Sequence, residues 1–174
     1  MLRKGQVKVA DLGAAKVLDT SHKRMNTPYV VSRYYRAPEL ILGSHHYDCS
    51  IDVWSAGCIL FELLTRSPLF PGDSEGLQLC EQMQMLGQPS DAELSQLQKE
   101  CSQATLQLFS KVRQGHEVDF SKLIMANPGN NYTKREAELA SDLIKQCLRW
   151  YRLDRITAEQ AMQHPFFSPD QREV

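Results

Sequence analysis

Charged and aromatic side chains with the capacity for chemistry are concentrated in the first third of the chain. The stretch "SRYYRAPELILG", residues 32–43, places Arg33 and Arg36 around two tyrosines, directly before an Ala-Pro-Glu sequence. Farther upstream, Asp11 and Gly13 follow a short alternating segment. An Asp and a Gly at a turn usually serve the turn itself, so this pair alone is weak support for a functional site.

A metal site is a second chemical possibility. His45, His46 and Cys49 are close together in the sequence, and both residue types bind transition metals. The sequence offers no fourth ligand, and the surrounding segment has the pattern of a loop. We therefore interpret these three residues as structural.

The composition narrows the class of protein. The chain has 174 residues, 42% of them hydrophobic, which suits one globular domain or one large lobe of a bigger one. Its net charge of −1 gives no bulk attraction to nucleic acid or to an anionic membrane, and we expect neither as a partner. Five cysteines without a C-x-x-C spacing predict buried thiols in a reducing compartment. The N-terminus lacks a signal-peptide pattern, so we expect a cytoplasmic or nuclear protein.

The elements that must position these residues are mostly helical. "QVKVADLG", residues 6–13, alternates apolar and polar side chains and predicts one short strand and a turn. Residues 14–50 show neither a helical nor a strand period and predict a long ordered loop, of a length that is usually functional. Residues 51–65 are apolar on nearly every side, which predicts a buried central helix.

Capping patterns predict where further helices begin. One helix is predicted over residues 74–86, and residues 113–132 are predicted to be a loop. The capping-box spacing occurs at three places: Ser90 with Glu93, Thr133 with Glu136, and Thr157 with Gln160. The predicted fold is therefore mainly α, a helical body around one central helix with a single short N-terminal strand.

Taken in order, these motifs resemble the C-terminal lobe of a eukaryotic protein kinase. The set consists of Asp11-Leu12-Gly13, Ala37-Pro38-Glu39, Asp52-Val53-Trp54 and Arg155. Within the CMGC group, "KVADLGAAK", "SIDVWSAGCILFELLTRSPLFPGD" and "MLGQPS" look like the glycogen synthase kinase family. "TPYVVSRYYRAPELILG" is equally similar to the mitogen-activated protein kinases.

The resemblance implies a serine/threonine kinase that uses ATP and Mg²⁺ to phosphorylate proteins, some of them already phosphorylated. By the resemblance Asp11 is a magnesium ligand, because an ionised carboxylate is a hard oxygen donor suited to that ion. Leu12 departs from the usual Phe, which bears on packing more than on metal binding.

The same resemblance gives roles to the residues around the paired tyrosines. It implies that Tyr29, and with it Thr27, is phosphorylated, and that Arg33 and Arg36 pair with the phosphate. Lys16 matches a lysine that helps bind a phosphate on the substrate, although a solvated lysine is an equally good interpretation.

Three further residues are expected to have structural roles. Glu39 and Arg155 match a buried ion pair that ties the loop to the helical body, and Asp52 matches a helix-start carboxylate that orients the catalytic loop. By the resemblance, residues 1–167 form a partial kinase domain with an activation segment at 11–39 and a CMGC-type insert at about 87–132. A possible scaffold protein would bind this insert, and 168–174 form a tail.

Several parts of a kinase have no counterpart in the sequence. The glycine-rich loop, the strand lysine and the His-Arg-Asp loop are missing, so the catalytic base is expected upstream of Met1 and no catalytic residue is assigned here. Two functions stay open: the carboxyl part of a kinase that is inactive alone, or a truncated pseudokinase that acts as an interaction module.

Overall fold

The computed structural model describes residues 8–15, 33–101, 109 and 115–168. Helices account for most of the regular structure in these ranges. In chain order they are α1 (Pro38–Ile41), α2 (Ser50–Thr65), α3 (Glu75–Leu86), α4 (Asp91–Glu100), α5 (Phe120–Ala126), α6 (Lys134–Cys147) and α7 (Ala158–Met162). Short 3-10 turns lie at Leu12–Ala14, Arg33–Tyr35, Arg152–Asp154 and Pro165–Phe167. The mainly α fold predicted from the sequence is confirmed.

Helix α2 is the centre of the main hydrophobic core. Trp54 is stacked on Phe70 with ring centroids 5.9 Å apart, and Phe61 meets Phe120 of α5 edge to face at 5.7 Å. Helix α6 crosses α2 so closely that a Cβ on Gly57 would lie 2.7 Å from the Cys147 Cβ. The side of α6 that faces α2 is buried, as is the C-cap residue Leu148; the buried apolar residues are Ala140, Leu143, Ile144, Cys147 and Leu148.

One side of α2 is exposed, which corrects the prediction that this helix is buried all round. Asp52, Ala56, Ile59 and Leu63 follow one another at helical spacing along that side, and Leu63 is 72% exposed. The described elements pack against the other sides of the helix only. The result is a solvent-facing apolar stripe, defined here as Ala56, Ile59 and Leu63.

A second hydrophobic cluster joins α3 and α4 to the body. Leu79 and Met83 of α3 and Leu97 of α4 lie in it with Phe109 and Trp150. The Phe109 and Trp150 rings meet edge to face at 5.6 Å. Through this cluster the predicted insert packs on the helical body.

Two predictions about local structure are wrong. Of the predicted strand, Gln6 and Val7 lie outside the described residues, and Lys8, Val9 and Ala10 have no regular structure; the described residues contain no strand. The predicted loop at 113–132 contains helix α5, whose N-terminus is capped by Asp119. Only Phe120 and Ile124 of α5 are buried, so the segment has too few apolar residues to show a helical period in the sequence.

The loop after α5 closes the end of the central helix. The Asn130 side-chain amide donates to the Leu64 carbonyl at 2.7 Å and to the Ile124 carbonyl at 3.0 Å. These are carbonyls at helix C-termini, which have no partner within their own helix.

The cysteine prediction is only partly correct, because Cys58 and Cys147 are buried whereas Cys49 is exposed. In the described ranges no helix combines the length and the apolar character needed to cross a bilayer.

Candidate functional site

The candidate site is built on a buried ion pair that anchors α1. Arg155 donates to both carboxylate oxygens of Glu39, at 2.7 and 2.6 Å, and the two side chains are 0% and 2% exposed. The same guanidinium donates to the carbonyls of Arg149 and Ser50, and it lies over the Trp54 ring at 5.0 Å. The structure thus brings together the two residues that the sequence suggests as partners, 116 positions apart.

Directly before α1, the backbone is held by side chains of the neighbouring helices. Gln78 of α3 donates to the Tyr34 carbonyl at 3.3 Å, and Ser55 of α2 donates to the Tyr35 carbonyl at 2.9 Å. Gln82 of α3 donates to the Arg36 carbonyl at 3.0 Å. Three consecutive carbonyls therefore each accept a hydrogen bond from a different side chain. We call residues 34–36 with these three donors the carbonyl clamp.

Both arginines of the motif turn towards the start of α3. Arg33 donates to the Asp73 backbone carbonyl, and Arg36 forms an ion pair with Glu75 at 3.2 Å. Arg36 is buried, whereas Glu75 is half exposed. The two guanidinium groups thus lie at the N-terminal end of one helix, where the helix dipole already favours an anion.

Tyr35 links this segment to α2 through its side chain. The phenol donates to the Glu62 carboxylate at 2.8 Å. That hydrogen bond, together with partial burial and the negative charge of Glu62, raises the pKa of Tyr35 above its usual value. Tyr35 therefore remains a neutral hydrogen-bond donor at neutral pH.

The remaining predicted residues lie apart from this segment or outside the described part of the chain. Asp11 is exposed, has a left-handed backbone with φ of 61°, and accepts a hydrogen bond from the Gly13 amide at 3.3 Å. Asp52 is exposed in the first turn of α2. Lys16, Thr27 and Tyr29 lie outside the described residues.

The Asp11 carboxylate fits one position of a magnesium site, because it is accessible and is a hard oxygen ligand. Among the described residues, no group of three His, Cys, Asp or Glu side chains could hold a metal ion. The other ligands of such a site would have to come from a nucleotide or from elsewhere in the polypeptide.

A groove of about 660 Å³ lies between the start of α2 and the C-terminal elements. Its walls are mostly apolar and include Val53, Ala56, Met162 and Phe167, and Asp52 lies among the lining residues. The groove therefore continues the apolar stripe of α2 towards its N-terminus. Its size and apolar lining are those of a binding surface.

Sequence reasoning missed the donors of the carbonyl clamp and one charged cluster. Gln78 and Gln82 are completely buried, although glutamine is typical of surfaces, so their type gave no signal. Arg152 pairs with Asp48 at 2.5 Å and with Glu100 of α4 at 3.1 Å. These partners are 104 and 52 positions away, a separation that local patterns do not reveal.

The comparisons with known proteins agree with this architecture. The family model described as "Protein kinase domain" matches residues 1–167. The chain belongs to the protein kinase family. Mitogen-activated protein kinase 10 of Arabidopsis thaliana is 36% identical over 162 residues, covering 93% of this chain and 37% of that protein. Protein kinase gsk31 of Schizosaccharomyces pombe is 41% identical over 163 residues, covering 94% of this chain and 39% of that protein.

Both branches suggested by the sequence motifs are therefore found among the relatives of this kinase. Protein kinase gsk3 of Schizosaccharomyces pombe is a further one, 37% identical over 94% of this chain and 38% of its own length. The prediction of a CMGC-group kinase is confirmed. This kinase chain spans less than two fifths of the length of these curated relatives.

Proposed function

We propose that this chain is the carboxyl part of a serine/threonine protein kinase that transfers the γ-phosphate of ATP to protein substrates. The observation that carries the proposal is the Glu39–Arg155 pair, which holds α1 on the helical body and so fixes the segment before it. Phosphoryl transfer depends mainly on positioning and electrostatic stabilisation. This chain can supply one part of that task, a rigid surface that positions the protein substrate.

In this proposal Asp11 is a ligand of the nucleotide-bound Mg²⁺. Arg33 and Arg36 bind a phosphate on Tyr29, with Thr27 as a second phosphorylation site. Support comes from the position of both guanidinium groups at the start of α3. A phosphate would compete there with the half-exposed Glu75 carboxylate for Arg36. Lys16 is proposed to contact a phosphate already present on the substrate.

We further propose that the chain does not catalyse phosphoryl transfer alone. Of the groups that position the nucleotide and activate the substrate hydroxyl, the sequence contains only Asp11. The exposed apolar stripe and the adjoining groove support the same proposal, since they offer a large surface for further polypeptide of the kinase. Asp52 would then orient the catalytic loop from the rim of this groove, and the complete kinase would act in the cytoplasm or nucleus.

The test is a phosphorylation assay with labelled ATP and Mg²⁺ on purified residues 1–174 and on the full reading frame of the same gene. The proposal predicts transfer by the full polypeptide, its loss in the Asp11→Ala variant, and no transfer by residues 1–174. Transfer by residues 1–174 that Asp11→Ala abolishes would show that this chain is itself a working enzyme.

A pseudokinase that serves as an interaction module is the second candidate. The exposed stripe on α2 favours it, because an apolar surface of this kind also suits a protein partner. A full reading frame that fails to transfer phosphate, although it is folded, would favour this second function.

A further inference from the structure

We propose that Gln78, Gln82 and Ser55 are positioning residues that fix the backbone of residues 34–36. By this inference the shape of the segment does not depend on a phosphate at Tyr29 or Thr27. The inference deepens the proposed function. It rests on that function because it takes residues 34–36 to face the protein substrate. It concerns regulation: phosphorylation would change the charge around Arg33 and Arg36 and leave the backbone between them unchanged.

Side chains hold three consecutive backbone carbonyls of the segment. The carbonyls of Tyr34, Tyr35 and Arg36 each accept a hydrogen bond from a side chain, at 2.9 to 3.3 Å. The donors come from two helices, Ser55 from α2 and the two glutamines from α3. Because both helices hold the segment, a movement of its backbone away from either helix breaks at least one of these bonds.

The two glutamine donors of the clamp are completely buried. Gln78 and Gln82 are both 0% exposed, and they lie one helical turn apart on the same face of α3. Gln78 also accepts a hydrogen bond from the Gly72 amide at 3.1 Å, so its amide group is fixed at both ends. A Cβ on Gly72 would lie 2.4 Å from the Gln78 backbone nitrogen, so only glycine permits this approach.

Packing alone does not explain why the buried side chain of Gln82 is polar. Its Oε1 atom is buried and has no hydrogen-bond partner among the described groups. An apolar side chain of similar length would fill the same space without leaving that oxygen unpaired. The role that remains for the amide is the donation from Nε2 to the Arg36 carbonyl.

The test is hydrogen exchange by mass spectrometry on residues 1–174, with intact mass used to confirm that the protein carries no phosphate. The reporter is the Arg36 amide, which donates to the Arg33 carbonyl at 3.1 Å within the segment. We expect it to be protected in the unphosphorylated chain. Exchange as fast as in an unstructured peptide would overturn the inference, because a phosphate would then be needed to order the segment.

Variants show whether the clamp causes this protection. We expect Gln82→Met to raise the exchange rate of peptides containing Arg36 by about fivefold, and Gln78→Met with Gln82→Met by about tenfold or more. Exchange in α6 should not change. Gln84→Met is the matched control, since Gln84 lies on the same helix but is exposed. Equal exchange in the double variant and in the control would refute the clamp.

A further variant guards against a general loss of stability. Ser55→Ala removes one oxygen atom from a half-buried site and is expected to speed exchange around Tyr35 without lowering the melting temperature appreciably. Exchange that rises in α6 as much as in the segment would identify these residues as ordinary stabilising contacts. None of these measurements needs catalysis, so a negative phosphorylation assay leaves the result intact.

Discussion

Replacing Arg155 by Ala should destabilise the kinase domain more than any surface substitution. The side chain is fully buried, and its loss leaves the Glu39 carboxylate buried without a cation. Breaking a buried pair by removing one partner costs about 3 to 5 kcal/mol, because the remaining charge stays desolvated. Arg155 also donates to the Arg149 and Ser50 carbonyls, so we expect the upper part of this range. For a chain of this size, a loss of about 4 to 5 kcal/mol corresponds to a fall in Tm of roughly 8 to 20 °C.

The assay is thermal and urea unfolding of Arg155→Ala, Glu39→Ala and the Arg155→Ala/Glu39→Ala double variant. The double variant should be less destabilised than the sum of the two single losses, since it leaves no unpaired charge. Lys134→Ala is the control, because its pair with Glu138 is exposed and its ions are 3.6 Å apart. Parental Tm values for both single variants would refute the reasoning, as would additive losses in the double variant.

Two more predictions concern pH and backbone packing. Burial raises the pKa of Asp48, but the Ser50 hydrogen bonds and the Arg152 guanidinium outweigh it, so the net shift is downward. Asp48 therefore stabilises the fold above its unfolded pKa, and this contribution is lost as the pH falls through the lower folded value. Urea unfolding between about pH 5 and pH 3 should show a smaller loss of stability in Arg152→Met than in the parent. Gly115→Ala should lower the free energy of unfolding in urea by about 1 to 3 kcal/mol, because the new Cβ would lie 2.4 Å from a backbone oxygen of α3. Gly76→Ala is the control and should not destabilise the fold, because its Cβ would meet nothing within 4 Å.

The helix starts could be predicted from the sequence because their physics is local. All three predicted capping boxes are formed, at Ser90, Thr133 and Thr157. A capping box needs only two side chains three residues apart, so its pattern is complete within one short window. The ion pair of Glu39 and Arg155 could not be found in that way, and it was suggested only by the order of motifs along the chain.

The carbonyl clamp could not be predicted because glutamine, the residue type of two of its donors, is typical of protein surfaces. Gln78 and Gln82 are polar residues in a helix with exposed neighbours, and a pattern of hydrophobicity places such residues outside. Their burial follows from what α3 meets after the chain has folded, namely the Tyr34 and Arg36 carbonyls, to which the two glutamine side chains donate. Long-range satisfaction of backbone groups therefore decides their position, against their usual preference for water.

Helix α2 is exposed on one side, although its sequence predicts burial on every side. Apolar residues on every side of this helix predict complete burial, yet Ile59 and Leu63 face solvent in the described structure. Burying the Ile59 and Leu63 side chains would stabilise the fold by roughly 1.5 to 3 kcal/mol each. A helix whose apolar side always faces water does not gain this stabilisation. The pattern therefore fits a helix that is covered by more polypeptide than the described elements provide. This supports the proposal that the remainder of a kinase packs against the stripe and the groove beside Asp52.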